Sequence, residues 1–242
     1  MVVLGDSSAI GENSDPGRPG AIVRANSWAT GANPAVNSLY RRILAHNPEI
    51  RGHNFNLAEP GGTVTMMAVE AKKALRLRPR PDLFVIQVMD NDMVCPAAPS
   101  DLAGFRARLV SALDVIAKGA PSASLFIVSQ FGSPETYAHS LTAAERRNAG
   151  GGTGPCDFID PTDAIVPAKV RAADKAIHAY EAQLDAGCRL VPRCRYDGGA
   201  LGNIVDRRQD YSSDLNHLSI EGHAREATVA WAALRRAGLV PR

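Results

Sequence analysis

The chain has 242 residues, 45% of them hydrophobic, and 27 basic against 25 acidic side chains for a formal net charge of +2. That length fits one α/β-sized domain or two small ones, with a core that needs no disulfide to form. The near balance of charge, without a basic run, excludes a dedicated nucleic-acid binder. No apolar stretch approaches the roughly 18 residues that suggest a membrane span. Met1 leads into an apolar strand-like segment instead of the basic region, apolar segment and cleavage site of a signal peptide. The expectation is a cytosolic protein or one whose export signal has been removed. Four cysteines, Cys95, Cys156, Cys188 and Cys194, suit two disulfides, match no CxxC zinc pattern and tilt the choice towards an oxidising compartment.

In chain order, residues 2–4 form an apolar run that stops at Gly5 and reads as a buried strand. Residues 11–37 lack a regular period and are expected to form a loop or short-helix insertion. A second strand is expected over 55–58, before the Pro60, Gly61, Gly62 cluster, and a third over 83–89. Leu102, Phe105, Leu109, Leu113 and Ile116 then recur on one helical face, with Ser100 as N-cap and Gly119 past the end. A fourth strand covers 125–131, followed by a second insertion over 132–161 with its Gly150, Gly151, Gly152 run. Val166, Val170, Ala173, Ile177, Tyr180 and Leu184 repeat the helical spacing up to Gly187, and a weaker fifth strand is expected over 189–191. The last helix starts near Ser219 and ends with Arg235 and Arg236 before Gly238, where basic side chains suit the helix dipole. Strands alternating with helices imply a mainly parallel five-stranded sheet covered on both faces, a flavodoxin-like three-layer α/β/α sandwich. No repeat or linker divides the chain, so residues 1–242 are expected to form a single domain.

In an open parallel sheet the functional crevice lies at the carboxyl ends of the strands. Gly5, Asp6 and Ser7 follow the first strand, and such a turn can present a hydroxyl or be purely structural. Asp214 and His217 stand three apart before the last helix, a spacing that can join carboxylate and imidazole. Asp214 could then hold one imidazole nitrogen while the other takes a proton from serine. The same residues also fit a surface turn in which Asp214 caps the next segment and His217 is solvated. Oxyanion donors could come from the glycine turn at Gly61 and Gly62 and from Asn91, each of which also fits an ordinary loop. Together these residues put Ser, Gly, Asn and His at successive strand ends.

In that order the chain resembles the SGNH hydrolases, also called GDSL esterases and lipases, through GDSSAIG at Ser7, NLAEPGGT at Gly61, MDND at Asn91, and DLNH with GHA at His217. The resemblance implies that Ser7 is the nucleophile, His217 the general base and then acid, and Asp214 its orienting carboxylate. Ser7, Gly61 and Asn91 would form the oxyanion hole. The implied activity is hydrolysis of a carboxylic ester through an acyl-enzyme, without cofactor or metal. Acyl transfer, glycan deacetylation and non-catalytic binding remain as alternatives. The expected partner is a small-molecule, lipid or glycan ester, with no nucleic acid; oligomeric state stays open. Two positions depart from the family pattern. Ser8 stands where Leu is usual and adds a rival hydroxyl, and Met89 replaces a Gly two positions before Asn91.

Cys95 is placed as in a secreted, disulfide-containing branch of the family, which favours export. Four cysteines allow three complete pairings, and sequence unaided does not choose among them. The expected pairing is Cys95 with Cys156, which would tether the second insertion beside Asn91, and Cys188 with Cys194. An extended path between the latter two would span roughly 20 Å, so the chain must turn, for instance at Pro192. His223 is expected to be packed or solvated, and His46, His53, His139 and His178 show no metal spacing. The glycine run lacks a phosphate-loop ending, and no G-x-S-x-G elbow occurs.

Overall fold

Alternating side chains on the strands build two cores, one on each face of a sheet. In a computed structural model that describes residues 1–149 and 152–240, the strands are β1 (Val2–Gly5), β2 (Phe55–Asn56), β3 (Leu83–Gln87), β4 (Ser124–Ile127) and β5 (Cys194–Tyr196). All run parallel, in the order β2-β1-β3-β4-β5. Val2, Leu4, Phe84, Ile86, Leu125 and Ile127 enter one apolar cluster, while Val3, Val85 and Phe126 enter the other.

The helices are α1 (Leu39–His46), α2 (Val64–Ala74), α3 (Pro99–Gly119), α4 (Pro134–Ser140), α5 (Ala143–Ala149), α6 (Pro167–Arg189) and α7 (Ile220–Arg236). α2, α3 and α6 cover the first face through Met67, Leu109 and Leu184, and α1 and α7 cover the second through Leu39 and Leu234. This is the flavodoxin-like three-layer sandwich. Thr63, Ser38 and Ser219 accept first-turn backbone N–H groups and so start α2, α1 and α7.

The boundaries differ from the sequence expectation where loops take over. β2, β3 and β4 end at Asn56, Gln87 and Ile127, before the predicted ends at 58, 89 and 131, because the chain leaves the ladder to form the site loops. α3 begins at Pro99, so Ser100 lies inside its first turn; Ala98 is the cap, and its N–H donates to Asp101 at 2.9 Å. Gly187 does not close α6. It is buried two residues before the end, where a β-carbon would press on Leu109, so it is a packing glycine. Residues 189–191 are not a strand: Arg189 ends α6, Leu190 is exposed, and the edge strand is Cys194–Tyr196.

The segment 11–37 contains one short 3-10 turn, Arg24–Asn26, and a bridge between Glu12 and Ile22. Segment 132–161 contains α4 and α5, with Ile159 bridged to Ile165. Gly150 and Gly151 of the glycine run lie outside the described residues. Disulfides join Cys95 to Cys156 and Cys188 to Cys194, with Cα separations of 6.0 and 5.3 Å, the pairing expected above. Between the latter two the chain does turn, with Arg193 at φ 59°.

Candidate active site

Because every strand is parallel, the chain leaves all of them at one edge. Gly5 ends β1 with φ +142°, and a β-carbon there would collide with the Gln87 carbonyl. Glycine therefore lets β1 turn hard against β3. Asp6, only 2% exposed, then caps a short 3-10 turn, accepting from Ser8 N at 3.0 Å. Ser7 begins that turn and is half-buried.

Gly62 packs on Gly5 and Asp6 so closely that a β-carbon would strike the Gly5 carbonyl. Gly61 precedes it with φ +65° and is exposed. From the loop after β3, Asn91 Nδ2 donates to Gly62 O at 3.1 Å. These contacts gather the Gly61–Gly62 turn, Asn91 and the Asp6–Ser7 turn at one edge. Met89 does not block this approach: it is buried at a positive φ of 155°, which side-chain-bearing residues rarely adopt, and Asn91 still reaches the glycine turn.

The fourth component is pre-assembled. Asp214 Oδ2 lies 2.7 Å from His217 Nδ1, while Asp214 Oδ1 accepts from Ser212 Oγ at 2.6 Å and from the backbone N–H groups of Asn216 and His217, each at 3.0 Å. Burial works against the Asp214 charge, but the hydrogen bonds from His217, Ser212 and Asn216 outweigh it and hold the carboxyl well below the usual range. The loop is pinned from outside by Tyr137, whose hydroxyl donates to Leu215 O at 2.7 Å. Asp214 is thus an exposed residue that caps its turn, as the surface-turn reading expects, and the same carboxylate also holds the partly buried His217 imidazole.

A cavity of about 440 Å³ opens beside this pair, lined by His217, Ser8, Asp6, Met89 and Asp90 among others. Ser8 lines it, whereas Ser7, Gly61 and Asn91 do not. Among the described residues no hydrogen bond joins Ser7 to His217. The second ring nitrogen, Nε2, instead faces Glu12 Oε2 at 3.8 Å. Glu12 and Asp90 were not singled out from sequence; nothing local marks them, since loop folding alone brings them to His217.

Beneath the site lies a buried polar chain. Trp28 Nε1 donates to Gln87 Oε1 at 2.7 Å, and Gln87 Nε2 donates to Glu226 at 2.6 Å. His223 is packed against it, 1% exposed, with burial and then His217 pushing its pKa down to about 3. The i, i+3 spacing of His223 and Glu226 on α7 was the available sequence signal. Among the described residues no cluster of His, Cys, Asp or Glu is arranged to hold a metal. No helix there is long and apolar enough to cross a membrane.

No protein-family model and no curated protein sequence matches the chain. Its likeness to solved structures is one of shape. Phospholipase A1 from Streptomyces albidoflavus NA297 superposes with a TM-score of 0.57 at 13% identity, over 98% of each chain. The extracellular lipase of Streptomyces rimosus gives 0.52 at 14% identity, again over 98% of each. A carbohydrate esterase family 2 enzyme with a carbohydrate binding domain, from Corynascus thermopiles (Myceliophthora fergusii), gives 0.57 at 15% identity over 98% of this chain and 66% of that one. The chain shares their fold.

Proposed function

We propose that the protein is a serine esterase that cleaves carboxylic esters through an acyl-enzyme on Ser7. The observation that carries this reading is the Asp214–His217 pair, hydrogen-bonded at 2.7 Å and set at the strand-end edge where the Asp6–Ser7 turn emerges. Asp214 fixes the tautomer by holding Nδ1, leaving Nε2 to take the Ser7 proton. Ser7 attacks the ester carbonyl, and the tetrahedral oxyanion is held by the backbone N–H groups of Ser7 and Gly61 and by Asn91. His217 then protonates the leaving alcohol and activates the water that releases the acid. The missing Ser7–His217 hydrogen bond is compatible with this cycle, because such bonds are often long in unliganded sites and tighten with substrate bound. The two disulfides support an exported protein.

The test compares intact protein with Ser7→Ala and Ser8→Ala on p-nitrophenyl esters, together with peptide mapping after labelling with a serine-directed phosphonate. Ser7→Ala is expected to abolish turnover and labelling in a folded protein, while Ser8→Ala keeps substantial activity. Chelators are expected to leave turnover unchanged. Label on Ser8, with Ser7→Ala still active, would move the nucleophile by one residue. Loss of activity with a chelator, restored by a defined metal, would replace the mechanism.

A further inference from the structure

The chain carries 27 Lys and Arg residues, yet none lines the cavity beside His217. Two carboxylates do. Asp6 is 2% exposed, and Asp90 stands at the rim, accepting from Gln130 Nε2 at 3.4 Å. The same cavity has an aromatic wall whose rings are in edge-to-face contact: Phe131 to Tyr211 at 6.3 Å, Tyr211 to Tyr137 at 4.9 Å, and Tyr137 to Phe158 at 6.1 Å between ring centroids. All four rings line the cavity. Next to this wall Asp206 accepts from the Tyr211 hydroxyl and the Ser133 N–H, and Arg208 donates to Tyr211 O at 2.9 Å, so the charges outside the cavity there are of both signs.

We propose that this cavity receives the positively charged end of an ester substrate, a compact ammonium or trimethylammonium group, seated on the aromatic wall and faced by Asp6 and Asp90. The inference rests on the serine-esterase reading and adds the substrate class. Aromatic faces attract cations through the ring quadrupole, more strongly when water is excluded. Among the lining side chains only His217 can carry positive charge, so a bound cation would be the main partner of the two carboxylates. Burial first, and then Asp90, push the Asp6 pKa up to about 7, so Asp6 is partly protonated near neutral pH and a cation seated beside it would favour its ionised form. An anionic headgroup would meet repulsion here, and a neutral sugar ester would bring hydroxyl donors but no charge to balance the two carboxylates. The volume of about 440 Å³ accommodates such a group with part of the remaining ester.

The test uses matched esters that differ only in charge. Butyrylcholine is compared with 3,3-dimethylbutyl butyrate, its carbon isostere, which places the cation on the alcohol. Ethyl 4-(trimethylammonio)butyrate is compared with ethyl 5,5-dimethylhexanoate, which places it on the acyl side. In at least one pair the cationic ester is expected to have a kcat/KM at least about tenfold higher, mainly through KM. Asp90→Asn is expected to shrink that ratio. Equal or inverted ratios in both pairs, or preference for an acetylated xyloside over every cationic ester, would overturn the proposal. If no ester of any kind is hydrolysed, the esterase reading fails by itself and calorimetry on the intact protein decides the cation site. Binding of choline but not of 3,3-dimethylbutan-1-ol would sustain it, and equal or absent binding of both would end it.

Discussion

Glu12 Oε2 lies 3.8 Å from His217 Nε2, on the far side of the ring from the nitrogen held by Asp214. The catalytic base proposed here is therefore set between two carboxylates, one from its own loop and one from segment 11–37. His217 in turn acts on two further titratable groups, Asp90 and His223. A carboxylate facing the proton-accepting nitrogen must be displaced or solvated when Ser7 approaches, and it lies where positive charge develops on the ring during proton transfer. Replacing Glu12 by Gln, which keeps the shape and removes the charge, is expected to lower kcat more than it changes KM. Steady-state kinetics on a small acetate ester checks this; an unchanged kcat in a folded Glu12→Gln protein would leave Glu12 as a neighbour without influence on the base.

Asn91 gives a separate test of charge stabilisation. One amide hydrogen is used on Gly62 O, leaving the second for an oxyanion. Asn91→Ala is expected to lower kcat by roughly a hundredfold or more with a smaller change in KM, since the lost donor acts mainly on developing charge. Thermal melting separates this from loosening of the glycine turn. Wild-type kcat in the variant would remove Asn91 from the oxyanion hole.

The two clearest strands were legible because their apolar residues cluster tightly between turn signals, as in Phe84, Val85 and Ile86. β5 was not. Only three residues long, it carries exposed Arg195 in its middle, so the more apolar stretch just before it drew the assignment, although that stretch is the end of α6 and a turn. α1 and α2 also escaped notice; their Ser38 and Thr63 caps were the readable signal. At the site, the Asp214–His217 contact was legible because it is local, three residues within one loop. The Glu12 contact was not, because it depends on how segment 11–37 folds back over the sheet edge. The aromatic wall draws on Phe131, Tyr137, Phe158 and Tyr211 from separate loops, and no period in the sequence connects them.

The buried carboxyls near β1 predict an unusual pH dependence of stability. Burial pushes both Asp6 and Glu70 up to about 7; for Asp6 the neighbouring Asp90 adds to the effect, and for Glu70 a hydrogen bond from Gly5 N partly offsets it. A carboxyl that holds its proton more tightly in the fold than in the unfolded chain stabilises the fold fully below its unfolded pKa of about 4. That contribution is lost as pH rises through 7. The denaturation midpoint is therefore expected to fall between pH 5 and pH 8. Glu70→Gln, which keeps an oxygen to accept from Gly5 N, is expected to flatten that slope; urea melts of both proteins across this range check it, and identical slopes would place the dependence elsewhere.

The two disulfides close very different loops, so their removal should separate stability from substrate range. Cys95–Cys156 spans a sequence separation of 61 residues and Cys188–Cys194 only 6. By the chain-entropy relation, the first constrains the unfolded chain by about 4 kcal/mol and the second by about 2 kcal/mol. The larger loss of stability is therefore expected for the Cys95→Ala, Cys156→Ala pair. Position adds a second difference. Cys95 and Cys156 both line the cavity beside His217, so their bond fixes the insertion carrying Tyr137 and Phe158 against the loop after β3. The Cys188–Cys194 bond braces only the turn into the edge strand. Breaking the first is expected to relax discrimination among esters of different size while hydrolysis of small acetates persists; breaking the second should lower the melting temperature with the ester profile intact. Parallel melting curves and an ester panel on the two double variants check both expectations, and an unchanged profile in the Cys95, Cys156 variant would show that the insertion holds the cavity closed without its tether.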